Sequence, residues 1–540
     1  MTTVVREIER KYTRAAGGAA ALDAMKTMIG TAEVAAVAEP AEQLLDAVYY
    51  DTADLRLIRG GITMRRRTGG EDPGWHLKLP VGTDTRDEIR LPLTGSGGVP
   101  AASTAAGTAA GRPAASSATA DSAVPEELTA LVRAYTRGAA LAPVVRIQTA
   151  RRVLRLLDGA GRALAEIADD HVSAGPADGS ATTSWEEIEA ELVTGGPALL
   201  DAVDAQLRQV GARPAATTTK LQQALADRLP AAASREPTLT RHSPTGEVVL
   251  AYLRHQVAAI ARCDPLVRRD EPDAVHQMRV ATRRARSALQ AFGGIIERDA
   301  TRSLCAELRW LAAAVGQARD TEVLLARLTA DLATVPPALV VGPVEARITA
   351  HFAAELARAR RAALDTLDGQ RYRSLLDDLD SLLADPPQTP AAERKAGKAL
   401  AKPVRQAARR LQRALAAVPD AEDRDSAIHQ ARKAAKRARY AGEAAVPALG
   451  RTAAHQIARA RELQDLLGDH HDSVVARTVL LELAQQARAA GEDTFTYGLM
   501  YQRQACQAAK IEEALPHFEA AKLPDHGPLT DRQFVQARGG

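Results

Sequence analysis

The chain has 540 residues, with 70 Lys and Arg against 67 Asp and Glu, a net charge of +3 and 3% aromatic residues. That length predicts two or three domains. Near-balanced charge excludes a nucleic-acid binder held by overall positive charge, and so few aromatics exclude the base-stacking platforms of single-strand binders, so nucleic acid is not an expected partner. Cys263, Cys305 and Cys506 stand far apart without a CxxC pair, which predicts buried helix packing in a reducing compartment rather than a disulfide or zinc framework. The charged N-terminus and the absence of a long apolar run predict a cytoplasmic protein with no membrane partner.

The first predicted element is the strand Val5-Arg6-Glu7-Ile8-Glu9-Arg10-Lys11. Alternation puts Glu7, Glu9 and Lys11 on one strand face, roughly 7 Å apart. Carboxylate oxygens are the hard ligands that Mg²⁺ and Mn²⁺ prefer, and an ammonium neutralises phosphate. On an isolated surface strand the same pattern is a solvated face, so the later strands decide. Arg65 and Arg67, then Lys78, then Glu88 and Arg90 alternate in turn. Arg151 and Arg155, Glu166 and Asp170, and Glu187, Glu189 and Glu191 follow. Ordinary strands keep apolar residues on the inner face. Charge of both signs on one face and aliphatic residues on the other predict a closed antiparallel barrel with a charged interior, packed outward against helices.

Between these strands, Thr94 to Val124 is rich in Ala, Gly, Ser and Thr and nearly uncharged, and reads as a disordered insertion of about residues 94–124. Pro230, Pro237 and Pro244 mark a linker, taken as 226–241. From Glu247 onward apolar residues recur at helical spacing. This part contains an internal repeat. His276-Gln277-Met278-Arg279 through Arg286 recurs as His429-Gln430-Ala431-Arg432 through Arg439, and a block with Gly316 to Asp320 recurs as Gly468 to Asp472. Pro386 and Pro387 separate repeats of about 247–384 and 391–520. His276, Arg279, Arg283 and Arg286 are offset by three, seven and ten positions, as are His429, Arg432, Lys436 and Arg439, with Lys433 beside them. At about 100° per residue each set is one helical stripe. Stripes related by a pseudo-twofold axis would face each other and make a basic groove for a polyanion.

The first 225 residues resemble the CYTH family, the triphosphate tunnel metalloenzymes. The resemblance rests on the Glu-x-Glu-x-Lys strand at Glu7, Glu9 and Lys11, the Arg-x-Arg strand at Arg65 and Arg67, Lys78, the glutamates from Glu187 to Glu191, and Lys220 after the last strand. Residues 242–520 resemble the CHAD domain, a helical module associated with polyphosphate, on His276, Arg279, Arg283, Arg286, His429, Arg432, Lys436 and Arg439. The resemblance implies an α+β chain, a tunnel barrel followed by an all-α duplicated bundle. It implies catalysis by Glu7, Glu9 and Lys11, with phosphates held by Arg65, Arg67, Lys78, Arg90, Arg151 and Lys220. Mg²⁺ or Mn²⁺ would be held among Glu7, Glu9, Asp170, Glu187, Glu189 and Glu191. Arg151 or Arg152, and Asp169 or Asp170, both fit the inward positions, and three glutamates stand where two suffice. The implied activity is metal-dependent hydrolysis of inorganic triphosphate or polyphosphate ends, with polyphosphate bound by the helical stripes and granules as a location. A non-catalytic polyphosphate binder and an adenylyl cyclase are the alternatives. His470 and His471 beside Asp469 and Asp472 resemble a metal cluster, but a loop or helix end that orients basic side chains accounts for them equally well. No Ser/His/Asp nucleophile motif is present.

Overall fold

Alternating charge and aliphatic residues along the first part of the chain produce strands, and uninterrupted helical periodicity produces helices after it. A computed structural model describes residues 3–13, 20–31, 33–38, 41–82, 84–93, 123–177, 183–215, 219–229 and 238–520. The chain divides into two compact units, 1–236 and 237–540. Residues 94–122 of the expected insertion and 230–237 of the expected linker lie outside the described residues.

The strands of the first unit are β1 (Thr3–Thr13), β2 (Ala36–Val37), β3 (Ala41–Asp51), β4 (Thr63–Thr68), β5 (Gly74–Pro80), β6 (Thr85–Leu91), β7 (Ala142–Leu157), β8 (Ala163–Gly175), β9 (Thr183–Leu192) and β10 (Arg213–Pro214). Its helices are α1 (Ala20–Met25), α2 (Arg56–Arg59), α3 (Glu126–Leu131), α4 (Arg133–Thr136), α5 (Pro197–Gln209) and α6 (Lys220–Ala224). The antiparallel order β1-β6-β5-β4-β3-β7-β8-β9 returns to β1, because β1 pairs with β6 along its first half (Val5 with Glu88) and with β9 along its second (Glu9 with Glu191). One strand serving both edges leaves the barrel without an open edge. Short β2 and β10 add to β7 and β1.

Register then fixes what faces the lumen, since a one-residue slip would exchange the faces. Arg151 pairs with Asp170, and Asp170 with Glu187, so these three lie inside while Arg152 and Asp169 take the other face. On the outside, Tyr12, Leu154, Leu156, Ile167 and Ile188 pack with Leu199, Leu200 and Val203 of α5 and Leu22 and Met25 of α1. A second outer cluster joins Met64, Trp75, Leu77 and Ile89 to Leu57 of α2 and Leu128 of α3. Each such aliphatic side chain contributes about 1.5–3 kcal/mol by leaving water.

The interior is not charged throughout. Ala47 and Tyr49 of β3, Ile147 of β7 and Val172 of β8 share the inward parity, and they pack with Ile58 of α2, Leu221 of α6 and Leu225 just after it. This apolar plug fills one stretch of the lumen, because α6 inserts a hydrophobic face there. Charge is thereby concentrated in the remainder.

The second unit comprises α7 (Thr245–Arg268), α8 (Ala274–Ala291), α9 (Arg302–Ala314), α10 (Gly316–Ala333), α11 (Val344–Asp368) and α12 (Gln370–Ala384), then α13 (Ala396–Ala399), α14 (Ala401–Ala416), α15 (Arg424–Leu449), α16 (Arg451–Ala489) and α17 (Phe495–Ala520). The packing repeats with the sequence. α7 packs on α8 as α14 packs on α15, α8 on α9 as α15 on α16, and α10 on α11 as α16 on α17. Ala431, Ala435, Ala438 and Ala441 of α15 are buried with Leu411, Leu463 and Leu467, their small side chains allowing close helix approach. α8 and α15, which carry the two basic stripes, are in contact.

Candidate functional site

Inward-facing residues of all eight long strands line a cavity of about 430 Å³ in the barrel. Two groups of charge form within it. In the first, Arg151 makes a bidentate pair with Asp170 (Nε–Oδ1 2.8 Å, Nη2–Oδ2 2.6 Å) and also reaches Glu189. Lys220 Nζ lies 2.8 Å from Asp170, 2.6 Å from Glu187 and 2.6 Å from Glu189, and Lys11 also pairs with Glu189. Lys220 is placed by the start of α6, where Thr219 caps the helix by accepting from the Gln222 N–H. In the second group Lys78 Nζ meets Glu7 at 2.5 Å and Glu88 at 3.9 Å. Arg90 pairs with Glu88, lies 3.5 Å from Glu7 and 3.1 Å from Asp72, and Arg65 lies 3.6 Å from Glu88. Arg67 pairs with Asp72, and Glu9 pairs with Arg86.

The inward faces therefore hold every strand residue proposed for phosphate or metal, but not in one cluster. Asp170, Glu187 and Glu189 converge, with one donor atom of each within 4.8 Å of the others. Glu7, Glu9 and Glu191 form a separate acidic side. The alternatives in the sequence resolve by parity: Arg151 and Asp170 face inward. Several lumen residues were missed as site candidates, Arg86, His76, Tyr49 and Asp72 among them. Arg86 continues the alternation of Glu88 and Arg90, so periodicity alone could have found it. His76 shares the parity of Lys78 and bridges Glu88 Oε1 (2.9 Å) and the Asp72 carbonyl (3.0 Å). Tyr49 takes a hydrogen bond from Arg65 (3.3 Å). Asp72 follows the β4 turn, where no period reports the direction of a side chain.

Electrostatics separates these carboxylates. Burial disfavours the charge on Asp170 and Glu189, yet Lys220, Arg151 and, for Glu189, Lys11 hold both below the usual carboxylate range. Glu88 is held low against burial by Lys78, His76 and Arg65. Glu191 behaves oppositely: burial, then Glu7, Glu9 and Glu189, push it up to about 7 against the pull of Lys78. Burial also raises Glu7, with Glu88 adding to it and Lys78 opposing. Burial lowers the His76 imidazole to about 4, Arg65 adding to the effect and Glu88 opposing it. Glu7 is paired with Lys78 and Glu9 with Arg86, and Lys11, Lys78 and Arg86 hold Glu9 low against burial, so among the described residues this acidic side lacks an ion-pair partner only at Glu191. Its all-oxygen donors are of the kind that hold a hard divalent cation, so the residues fit Mg²⁺ or Mn²⁺.

In the helical unit the two stripes converge. Burial, and after it the charges of Arg432, Arg283 and Arg279 from both stripes, lower the Lys436 ammonium of α15 to about 7. Arg279 donates to the Gly316 carbonyl (3.0 Å) and to Asp320 (2.7 and 3.1 Å). Arg432 lies beside Gly468 and 3.8 Å from Asp472. The second block of the repeat therefore supplies a glycine on which an arginine lies and an aspartate that orients it. The Nε atoms of Arg283 and Arg432 and Nδ1 of His429 are buried without a hydrogen-bond partner among the described residues. His429 lies against the His471 ring, centroids 4.7 Å apart. Burial, ahead of nearby cations, lowers His276 and His429 and brings His471 to about 4.

Two expectations for this unit need correction. Arg439 does not join the convergence; it is paired with Glu443 (2.9 Å) and Gln464 (3.3 Å), because a carboxylate stands one turn along its own helix. The Asp469 to Asp472 segment is neither loop nor helix end, since it lies within the 39-residue α16. Asp472 and His471 of that segment face the stripes, while buried His470 points to Glu512 (3.1 Å) and Asp425 (3.5 Å). Arg286 is lowered by burial first and then by Arg309, Arg437 and Arg283, so it sits among cations of α8, α9 and α15.

Comparison with known proteins matches a CYTH domain over residues 6–219 and a CHAD domain over 251–481. Two relatives from Mycobacterium tuberculosis, the uncharacterized proteins MT2285 (strain CDC 1551) and Rv2226 (strain H37Rv), are each 39% identical over 507 residues, covering 90% of this chain and 91% of theirs. Among solved structures, PptA from Streptomyces chartreusis is 24% identical, with a TM-score of 0.45, over 51% of this chain and 99% of its own. The CHAD domain of the plant Ricinus communis is 26% identical, with a TM-score of 0.43, over 54% of this chain and 97% of its own. No helix among the described residues is long and apolar enough to cross a membrane.

Proposed function

We infer that this chain, which belongs to the proteins in which a CYTH domain is followed by a CHAD domain, hydrolyses the terminal phosphoanhydride bond of inorganic triphosphate or polyphosphate in its barrel and grips polyphosphate with its helical unit. The observation that carries the first part is the pairing, inside one closed barrel, of the cations Arg65, Lys78, Arg90, Arg151 and Lys220 with inward carboxylates. Without substrate these cations neutralise one another's acidic neighbours. Phosphate oxygens offer the same cations equivalent partners, so binding exchanges one set of ion pairs for another.

Phosphoryl transfer asks a protein mainly for positioning and charge neutralisation. Arg65, Arg67, Lys78, Arg90, Arg151, Lys220 and Lys11 would bind the phosphate chain and orient it along the lumen. Strand placement keeps these side chains in register, and the apolar plug excludes water beyond the charged stretch. Glu7, Glu9 and Glu191, with Asp170, Glu187 and Glu189, are the residues that would hold Mg²⁺ or Mn²⁺. A divalent cation there supplies polarisation of the phosphoryl oxygen and a more acidic bound water. In the helical unit, Arg279, Arg283, Arg432, Lys433 and Lys436, with His276 and His429, would grip the polyphosphate chain. This reading also proposes a cytoplasmic protein that gathers on polyphosphate granules.

The test is phosphate release by the purified chain with Mg²⁺ or Mn²⁺ on triphosphate, ATP, thiamine triphosphate and long-chain polyphosphate. Release is expected from triphosphate or from polyphosphate ends. Cyclic nucleotide formed from ATP in place of phosphate release would replace this reading with a cyclase. Absence of turnover on all four substrates would leave a binding protein.

A further inference from the structure

The two helical repeats differ at one point that the groove does not use. Glu443 stands fourteen residues after His429 and accepts from Arg439 of its own helix (2.9 Å) and from Arg284 of α8 (2.7 Å). Fourteen residues after His276 stands Gln290. The arginines in the places of Arg439 and Arg284 are Arg286 and Arg437, ten and eight residues after their histidines. With no carboxylate at 290, neither makes an ion pair among the described residues. Tyr440, whose ring lies 5.8 Å from both Arg284 and Arg439, is matched by Ser287, eleven residues after each histidine. One repeat thus carries a buried ring and a carboxylate where the other carries a hydroxyl and an amide.

The consequence is space and unbalanced charge. A cavity of about 380 Å³ opens between α8, α9, α14 and α15, with Ser287, Gln290 and Arg437 in its wall. Arg298, Arg302 and Arg410 also line it. Arg302 pairs with Asp299, whereas Arg298 and Arg410 make no ion pair among the described residues. Leu289, Ala291, Pro403 and Ala407 supply an apolar wall. Like charges converging on a concavity repel one another, and an anion relieves that repulsion. Arginine forks bind phosphate oxygens in pairs, which favours a multiply charged phosphate over a single carboxylate.

We propose that this cavity is a second anion site, separate from the groove, which takes the di- or triphosphate group of a short condensed phosphate or a phosphorylated small molecule. It exists because Gln290 and Ser287 break the repeat at the places of Glu443 and Tyr440. The site does not depend on the triphosphatase reading, since it uses no barrel residue.

Cys305 lies in the cavity wall and is partly exposed, while Cys506 is exposed elsewhere and serves as a reference. The full-length protein, in chelator so that the probes are not hydrolysed, is alkylated with iodoacetamide, and each cysteine is followed by mass spectrometry. Tripolyphosphate and ATP are the probes, against sodium chloride at matched ionic strength. At about four times its Kd, a probe in the cavity slows Cys305 about fivefold, as 1 + [L]/Kd, and leaves Cys506 unchanged. Equal protection by both probes assigns the site to terminal phosphates; protection at lower concentration by ATP assigns the apolar wall to its organic part. Gln290→Glu, which restores the missing carboxylate, and Arg410→Glu are each expected to abolish protection, and Arg279→Glu with Arg432→Glu to leave it intact. Gln290→Glu alters one polar group, so its thermal melt should match the wild type and keep the test valid. The proposal is overturned if the probes slow Cys305 no more than salt does, if Gln290→Glu and Arg410→Glu are protected as the wild type is, or if the groove variant removes the protection.

Discussion

Single residues here do opposite things with the same chemistry. Glu88, Glu189 and Asp170 stay ionised despite burial because cations surround them, whereas Glu191 is held up to about 7 by burial and by Glu7, Glu9 and Glu189. If the acidic side holds the catalytic cation, Glu7→Gln and Glu9→Gln should each cut metal-dependent phosphate release by a factor of about 10² or more, the scale on which electrostatic transition-state groups act. Their circular dichroism spectra should match the wild type, and phosphate release at wild-type rates would reject the assignment. Lys436 sets the pH response of the groove. Its pKa is depressed to about 7 by burial and by Arg432, Arg283 and Arg279, so it is charged below that pH and neutral above it in the free protein. A polyanion favours the charged form, so polyphosphate affinity should fall as pH rises above about 7, and Lys436→Met should flatten that fall. The unfolded chain keeps its lysine protonated to about 10.4, so this group lets stability rise with pH between the two values. The histidines, lowered by burial and neighbouring cations, add charge only at more acid pH. Titration of affinity against pH in wild type and variant decides the point.

At the scale of elements, the duplicated glycines show how a repeat keeps its pattern while its tolerances drift. A Cβ at Gly316, the first residue of α10, would lie 2.8 Å from the Arg279 guanidinium, whereas at Gly468 in α16 the nearest Arg432 atom is 3.7 Å away. Gly316→Ala should therefore push Arg279 off Asp320 and lower polyphosphate affinity about threefold to tenfold, on the order of 1 kcal/mol for one charge-assisted contact. Gly468→Ala should leave affinity unchanged. Both helices should be no less stable, since alanine is the better helix former. Binding titrations on the two variants test this, and equal losses would refute it. In the barrel, Leu154 and Ile188 are fully buried on the outer face of adjoining strand pairs. Leu154→Ala should cost about 2–5 kcal/mol, read by denaturant unfolding, and should lower activity only through loss of folded protein.

For the whole molecule, the two units carry their charge in separate constructions: a lumen of mixed sign and helical stripes of one sign. Binding to the stripes should weaken steeply with salt, because a polyanion releases counterions when cations replace them, as for nucleic acids. Arg279→Glu with Arg432→Glu should remove most polyphosphate affinity in the full chain and leave turnover of triphosphate intact, while Glu7→Gln should do the reverse. Loss of both properties in either variant would show that one site serves both.

The sequence by itself determined the barrel, the helical duplication and most of the inward charges, because each follows from a local period of two or of 3.6 residues. Glu7, Glu9, Lys11, Arg65, Arg67 and Lys78 were legible in this way, and Arg86 was equally legible though passed over. Sequence could not choose between Arg151 and Arg152, because adjacent residues of the same type satisfy the same alternation until strand register assigns a face. Nor could it find Asp72, which follows a turn, or the plug formed by α6, since inward apolar residues look like any other strand alternation until a helix meets them. In the helical unit the stripes were legible, but the tying of Arg439 to Glu443 and the cavity beside Gln290 were decided by tertiary packing. Those outcomes depend on which helix stands opposite, and no periodicity within one helix records its neighbour.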